Sequence, residues 1–188
     1  DGAFHGRTHL TMAMSTSRAI DRAGYGPFPP GVFVAPFPDP HASDLEAEIS
    51  RALRGLDRLF RTQVVPEEVA ALVIEPVISE RGYIPTPKGF IAGLAERCRE
   101  HGILFVADET QSGFGRTGRM FAIEEHDVEP DMLCMAKGIA SGFPFAALGM
   151  RREIDDAWRT GSQGGSTNGN PIGCAAALAT IEVLTEPG

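Results

Sequence analysis

Apolar runs alternate with amphipathic stretches through most of this chain, and that alternation leaves few folds open. Residues Ser43 to Phe60 repeat apolar positions at helical spacing (Leu45, Ile49, Leu53, Leu56, Phe60). Ser43 suits the N-cap, with Glu46 three residues on completing a capping box. A strand-like run from Val69 to Ile74 follows and stops at Glu75-Pro76, because proline cannot continue a central ladder. A Gly/Pro-rich loop from Ser79 to Pro87 leads to a second helix, Lys88 to Glu100, ended by His101-Gly102. Next come a strand from Ile103 to Ala107, a Gly-rich loop through Gly118 and a short helix from Arg119 to His126. Strands Met132 to Met135 and Phe145 to Met150 complete the pattern, and a helix begins at Asn170-Pro171. Apolar strands separated by amphipathic helices predict an α/β fold, a mostly parallel sheet flanked by helices. Ligands of such sheets bind at the carboxyl ends of the strands, where the polar residues of this chain collect.

Composition narrows the partners. The 188 residues carry a formal net charge of −8 and no basic tract, which argues against nucleic acid and anionic membranes. No apolar run reaches the roughly 18 residues that span a bilayer. Cys98, Cys134 and Cys174 are scattered, a pattern that suits reduced thiols in a cytoplasmic protein.

Two strand ends carry the chemistry. Ile103-Leu-Phe-Val-Ala ends on Asp108 and Glu109, and the run before Ala136 ends on Lys137, which enters a turn of small residues (Gly138, Ala140, Ser141, Gly142). A lysine there can form a Schiff base, and an aspartate can hold a pyridinium nitrogen protonated, so the pair points to pyridoxal 5'-phosphate (PLP). Taken singly, each has a plainer reading: Asp108 as a cap or surface acid, Lys137 as a solvated loop lysine. The apolar run plus acidic pair also fits the second motif of P-loop NTPases, but the Gly-x-x-x-x-Gly-Lys-Ser/Thr loop is absent. Hydroxyls and glycines from Gly164 to Asn170 precede a helix N-terminus, a place that favours phosphate. His5 and His9 lack a third ligand, so no metal site is expected.

The stretches Ala3-Phe-His-Gly-Arg-Thr, Val73-Ile-Glu-Pro-Val, Ala107-Asp-Glu-Thr-Gln-Ser-Gly-Phe-Gly-Arg-Thr-Gly, Pro130-Asp, Ala136-Lys-Gly and Gly169-Asn-Pro stand in a telling order. Together they closely resemble the class III (subgroup II) PLP-dependent aminotransferases, the group of the 4-aminobutyrate and ornithine aminotransferases. The resemblance implies PLP-dependent transferase fold type I. It also implies transfer of an amine from a 4-aminobutyrate-like ω-amino donor to a 2-oxo acid. An aminomutase, racemase or decarboxylase of the same fold would use the same lysine and aspartate.

Roles follow by position. Lys137 would bind PLP covalently and move the proton, Asp108 would pair with the pyridine nitrogen, and Gln111 would reach the phenolic oxygen region. Phe4 would stack on the ring with His5 beside it, and Thr110 would pack on the other face where the family often has valine. Glu75 would support the site, and Glu80 aligns with the glutamate that gates a substrate carboxylate. Arg81 stands where the family usually has glycine. Ser166, with Thr167 beside it, falls where a threonine reaches the PLP of a neighbouring subunit, which implies a homodimer. The chain reads as the central part of the large PLP-binding domain, residues 1 to 188. The family's N-terminal phosphate loop and its C-terminal small domain are expected outside this stretch.

Overall fold

The computed structural model describes residues 1 to 186. Helix α1 (His9–Met14) lies in the N-terminal segment, and α2 (Leu45–Thr62) is the first long element. Strand β1 (Ala71–Ile74) is followed by the two short strands β2 (Val77–Ile78) and β3 (Ile84–Pro85), and then α3 (Lys88–His101). Strands β4 (Leu104–Asp108), β5 (Met132–Ala136) and β6 (Ala146–Met150) complete the sheet. Helices α4 (Arg152–Asp156) and α5 (Pro171–Thr185) close the described chain.

The four-stranded sheet has the order β1-β4-β5-β6, parallel except for β6, which runs antiparallel to β5. The predicted α/β class therefore holds. Residues alternate faces along β4. Phe105 and Ala107 join Ile74, Leu56 of α2, and Phe90, Ile91 and Leu94 of α3 in the main core. Asp108, on the opposite side of the pleat, meets the N-terminal segment instead. Helices α2 and α3 are also tied by Arg97, whose Nε and Nη2 donate to the two Asp57 oxygens at 2.5 and 3.0 Å.

Several local expectations shift. The N-cap of α2 is Asp44, whose Oδ1 accepts the Ala47 N–H at 2.9 Å, and not Ser43. Both residues can cap, and the helix starts where the carboxylate reaches the third turn donor. The segment expected as a helix from Arg119 forms only a 3₁₀ turn, Ala122–His126. The loop after Ser79 contains half of a small hairpin, with Ile78 opposite Ile84. The glycine stop of α3 is as expected, with Gly102 left-handed at φ 68°.

A second, smaller core seats α5. Ala177 packs with Ile139 and Ala140 of the 3₁₀ turn Lys137–Ala140, among Phe114, Phe143 and Phe145. Gly173 permits this approach, because a Cβ there would run into the Phe145 ring. Among the described residues no helix is long and apolar enough to cross a membrane.

Candidate active site

The parallel register sets the site's levels. Ile74 stands beside Ala107, and Asp108 beside Cys134, so the ends of β1, β4 and β5 open on one edge. Glu75 follows β1, Asp108 ends β4 and Lys137 follows β5.

Asp108 is buried and tied on both oxygens. The His5 Nδ1 lies 2.9 Å from Oδ2, and the Thr110 N–H donates to Oδ1 at 3.1 Å. Burial by itself pushes this carboxyl up, but the hydrogen bonds from His5 and Thr110 outweigh it and hold it below its ordinary value. An ionised carboxylate only accepts, so His5 carries its proton on Nδ1. Asp108 is thus a fixed, buried anion.

Glu75 is also buried, and its carboxylate is fully engaged with the chain. Oε1 accepts the Phe4 N–H at 2.7 Å, while Oε2 accepts the Ser79 N–H and hydroxyl at 3.1 and 2.6 Å. It fastens the Phe4-His5 segment to the turn that carries Glu80. Glu80 in turn accepts from the Gln111 Nε2 at 3.1 Å. Three hydrogen-bonded sets, Phe4 with Glu75, His5 with Asp108 and Thr110, and Glu80 with Gln111, are thus joined through the chain neighbours Phe4-His5 and Thr110-Gln111.

Lys137 stands apart from that network. It takes a left-handed conformation, φ 49°, which is uncommon for a side chain with a Cβ and is held by the surrounding packing. The residue after it packs closely, since a Cβ on Gly138 would sit 3.1 Å from the Phe114 Cβ. Lys137 is exposed and lines a cleft of about 660 Å³ with Phe114, Arg116, Ser141, Phe143 and Phe145. Among the described residues its amine has no hydrogen-bond partner, and the structure does not bring it into contact with Asp108. Ser166 and Thr167 are exposed in the loop between α4 and α5.

The two imidazoles take different partners, His5 on Asp108 and His9 Nε2 on the Pro27 carbonyl at 2.8 Å. A strand-end acid to which the sequence assigned no role is buried here. Glu109, fully buried, accepts from the Ser112 hydroxyl and the Ile123 N–H. Beside Asp108 it reads in sequence as a second strand-end acid, and only its apolar flanks hint at burial.

The family model for Aminotransferase class-III matches residues 1–188. The chain belongs to the class-III aminotransferases. It is 43% identical to a probable 4-aminobutyrate aminotransferase of Bacillus subtilis over 98% of its own length and 43% of the relative's. It is 42% identical to the 5-aminovalerate aminotransferase DavT of Pseudomonas putida, again over 98% of this chain and 43% of the relative. A class-III aminotransferase chain of this kind thus spans less than half the length of these relatives. A solved amine transaminase from an uncultivated Pseudomonas species, in its PLP-bound form, superposes with TM-score 0.89 at 31% identity, covering 97% of this chain and 44% of that one.

The family's cofactor is PLP, and the residues present fit it. The arrangement offers a fixed anion for a pyridine nitrogen, an aromatic ring at Phe4 and an unpaired amine on a turn of small residues. A flat, phosphorylated aldehyde needs those groups.

Proposed function

We propose that the full-length protein is a PLP-dependent aminotransferase that takes the amine of a 4-aminobutyrate-like ω-amino acid or amine and delivers it to a 2-oxo acid. The observation that carries this reading is Asp108, a buried carboxylate kept ionised by His5 and Thr110 at the end of a strand neighbouring that of Lys137. The names of the relatives, 4-aminobutyrate and 5-aminovalerate aminotransferase, support the donor class.

When bound, PLP supplies an aldehyde that condenses with amines and a ring that withdraws electrons from the adjacent carbon. Asp108 keeps the ring nitrogen protonated, and His5 fixes the orientation of that carboxylate. Phe4, held through its N–H by Glu75, would stack on the cofactor ring, and Thr110 would pack against it. Lys137 would hold the cofactor through its Nζ, and the same Nζ would take and return a proton at the substrate carbon. Gln111 and Glu80 share a hydrogen bond at the entrance, where Arg81 adds a charge beside the donor's far end. Ser166 and Thr167 serve the phosphate of a second copy, so the protein works as a homodimer. Its free thiols, Cys98, Cys134 and Cys174, suit the reducing cytoplasm.

The test is an amino-donor screen of the full-length protein with 4-aminobutyrate and 5-aminovalerate, using pyruvate and 2-oxoglutarate as acceptors. Transfer of the amine with release of the oxo product is expected, and loss of it in Lys137→Ala. Racemised, rearranged or decarboxylated donor, with no amine on the acceptor, would overturn the reading in favour of another PLP reaction.

A further inference from the structure

Among the described residues Glu109 is the one fully buried acid next to the site that the proposed reaction does not use. Its contacts join two segments. Oε2 accepts the Ser112 hydroxyl at 2.5 Å, within the turn that carries Thr110 and Gln111. Oε1 accepts the Ile123 N–H at 2.7 Å, from the 3₁₀ turn on the way to β5. The backbone of Glu109 completes the link: its N–H donates to the Cys134 carbonyl at 3.0 Å, and its own carbonyl accepts the Gly113 N–H at 3.0 Å. The fit is close, since a Cβ on Gly113 would lie 2.9 Å from that carbonyl.

The turn so fixed touches both halves of the site. At its start the Thr110 N–H holds Asp108. At its end Phe114 stacks edge-on against Phe121, with ring centroids 5.4 Å apart, and abuts Gly138, the neighbour of Lys137. Among the described residues no cation pairs with Glu109, and burial, the largest influence, pushes its carboxyl up despite the bonds it accepts. A buried carboxyl left without such bonds would be costly, so these bonds are what hold it there.

We propose that Glu109 is a positioning residue for the cofactor site, a hydrogen-bonded clamp that sets the Thr110–Phe114 turn against the Ala122–His126 turn. It acts through the turn and touches neither cofactor nor substrate. The inference rests on the PLP reading above. Its consequence is that the clamp governs cofactor affinity through hydrogen bonds, which an amide can replace: glutamine can accept at Oε1 and meet Ser112 with its NH₂.

The experiment titrates the cofactor-free full-length protein with PLP, following cofactor absorbance, beside its melting temperature. Wild type must bind, and failure there sinks the PLP reading itself. Given binding, Glu109→Ala is expected to weaken affinity by about tenfold or more, the size of a lost bond to a buried carboxyl. Glu109→Gln should stay within about threefold of wild type on the same grounds. Ser112→Ala, which leaves Glu109 itself in place, should fall between them with little change in melting, and it carries the test if Glu109→Ala does not fold. Affinity of Ser112→Ala and Glu109→Ala equal to wild type would overturn the proposal, and so would Glu109→Gln binding no better than Glu109→Ala.

Discussion

At the scale of single residues, the site's two buried strand-end acids answer pH in opposite ways. Asp108 has a folded value below its unfolded 3.8, so its share of stability is present above that value and lost as pH falls through the folded one. Glu109 has a folded value above its unfolded 4.5, so its share is present below that and fades as pH rises. The Asp108 sign gives a direct test. Asp108→Asn in the full-length, cofactor-free protein should cost about 1.5–3 kcal/mol near neutral pH, the worth of hydrogen bonds to a charged group. The gap to wild type should close below about pH 4, where the wild-type carboxyl also takes a proton. Urea unfolding midpoints of both proteins across this range decide it; a gap that stays constant into acid would show that the ionised form of Asp108 gains nothing from His5 and Thr110.

At the scale of elements, α2 shows how local chemistry chooses between equivalent signals. Ser43 and Asp44 are both N-cap residues, yet only the Asp44 carboxylate meets the Ala47 N–H. Asp44→Ala should therefore destabilise the protein by about 1 kcal/mol. Ser43→Ala should change stability by no more than about 0.5 kcal/mol. A larger loss from Ser43→Ala than from Asp44→Ala, in thermal or chemical unfolding, would return the cap to Ser43. The larger elements were legible because their signals are local. A period-3.6 pattern marked α2, the loop before it and Gly102 after it marked α3, and short apolar runs marked β1, β4 and β5. What escaped depends on contacts far along the chain. The helix α1 and the hairpin of Val77–Ile78 with Ile84–Pro85 are too short to print a period. The expected helix from Arg119 shrinks to a 3₁₀ turn whose N-terminal donors are taken by side chains, Glu124 accepting from the Phe121 N–H and Glu109 from the Ile123 N–H. Glu75 was legible as a site residue, but its role as a clamp on Phe4 required a partner 71 positions away.

At the scale of the whole molecule, the groups read from sequence divide into a bonded set around Asp108, a separate Lys137 cleft, and an exposed pair at Ser166 and Thr167. Among the described residues no hydrogen bond joins the last pair to the rest, while the family resemblance implies a role at a neighbouring subunit's phosphate. A shared site makes a prediction that no single-chain site makes. Lys137→Ala removes the amine and leaves the phosphate hydroxyls; the double variant Ser166→Ala/Thr167→Ala removes the hydroxyls and leaves the amine. If each site takes Lys137 from one copy and the hydroxyls from its partner, subunits exchanged between the two variants form mixed dimers. In a C₂ dimer each mixed pair then contains one site with both sets intact and one lacking both. Activity of the full-length mixture should rise above the sum of the separately assayed variants, and it should rise only after dissociation and reassociation. Were Lys137 and the hydroxyls to serve the same site within one chain, each copy would keep its own defect. Mixing would then restore nothing.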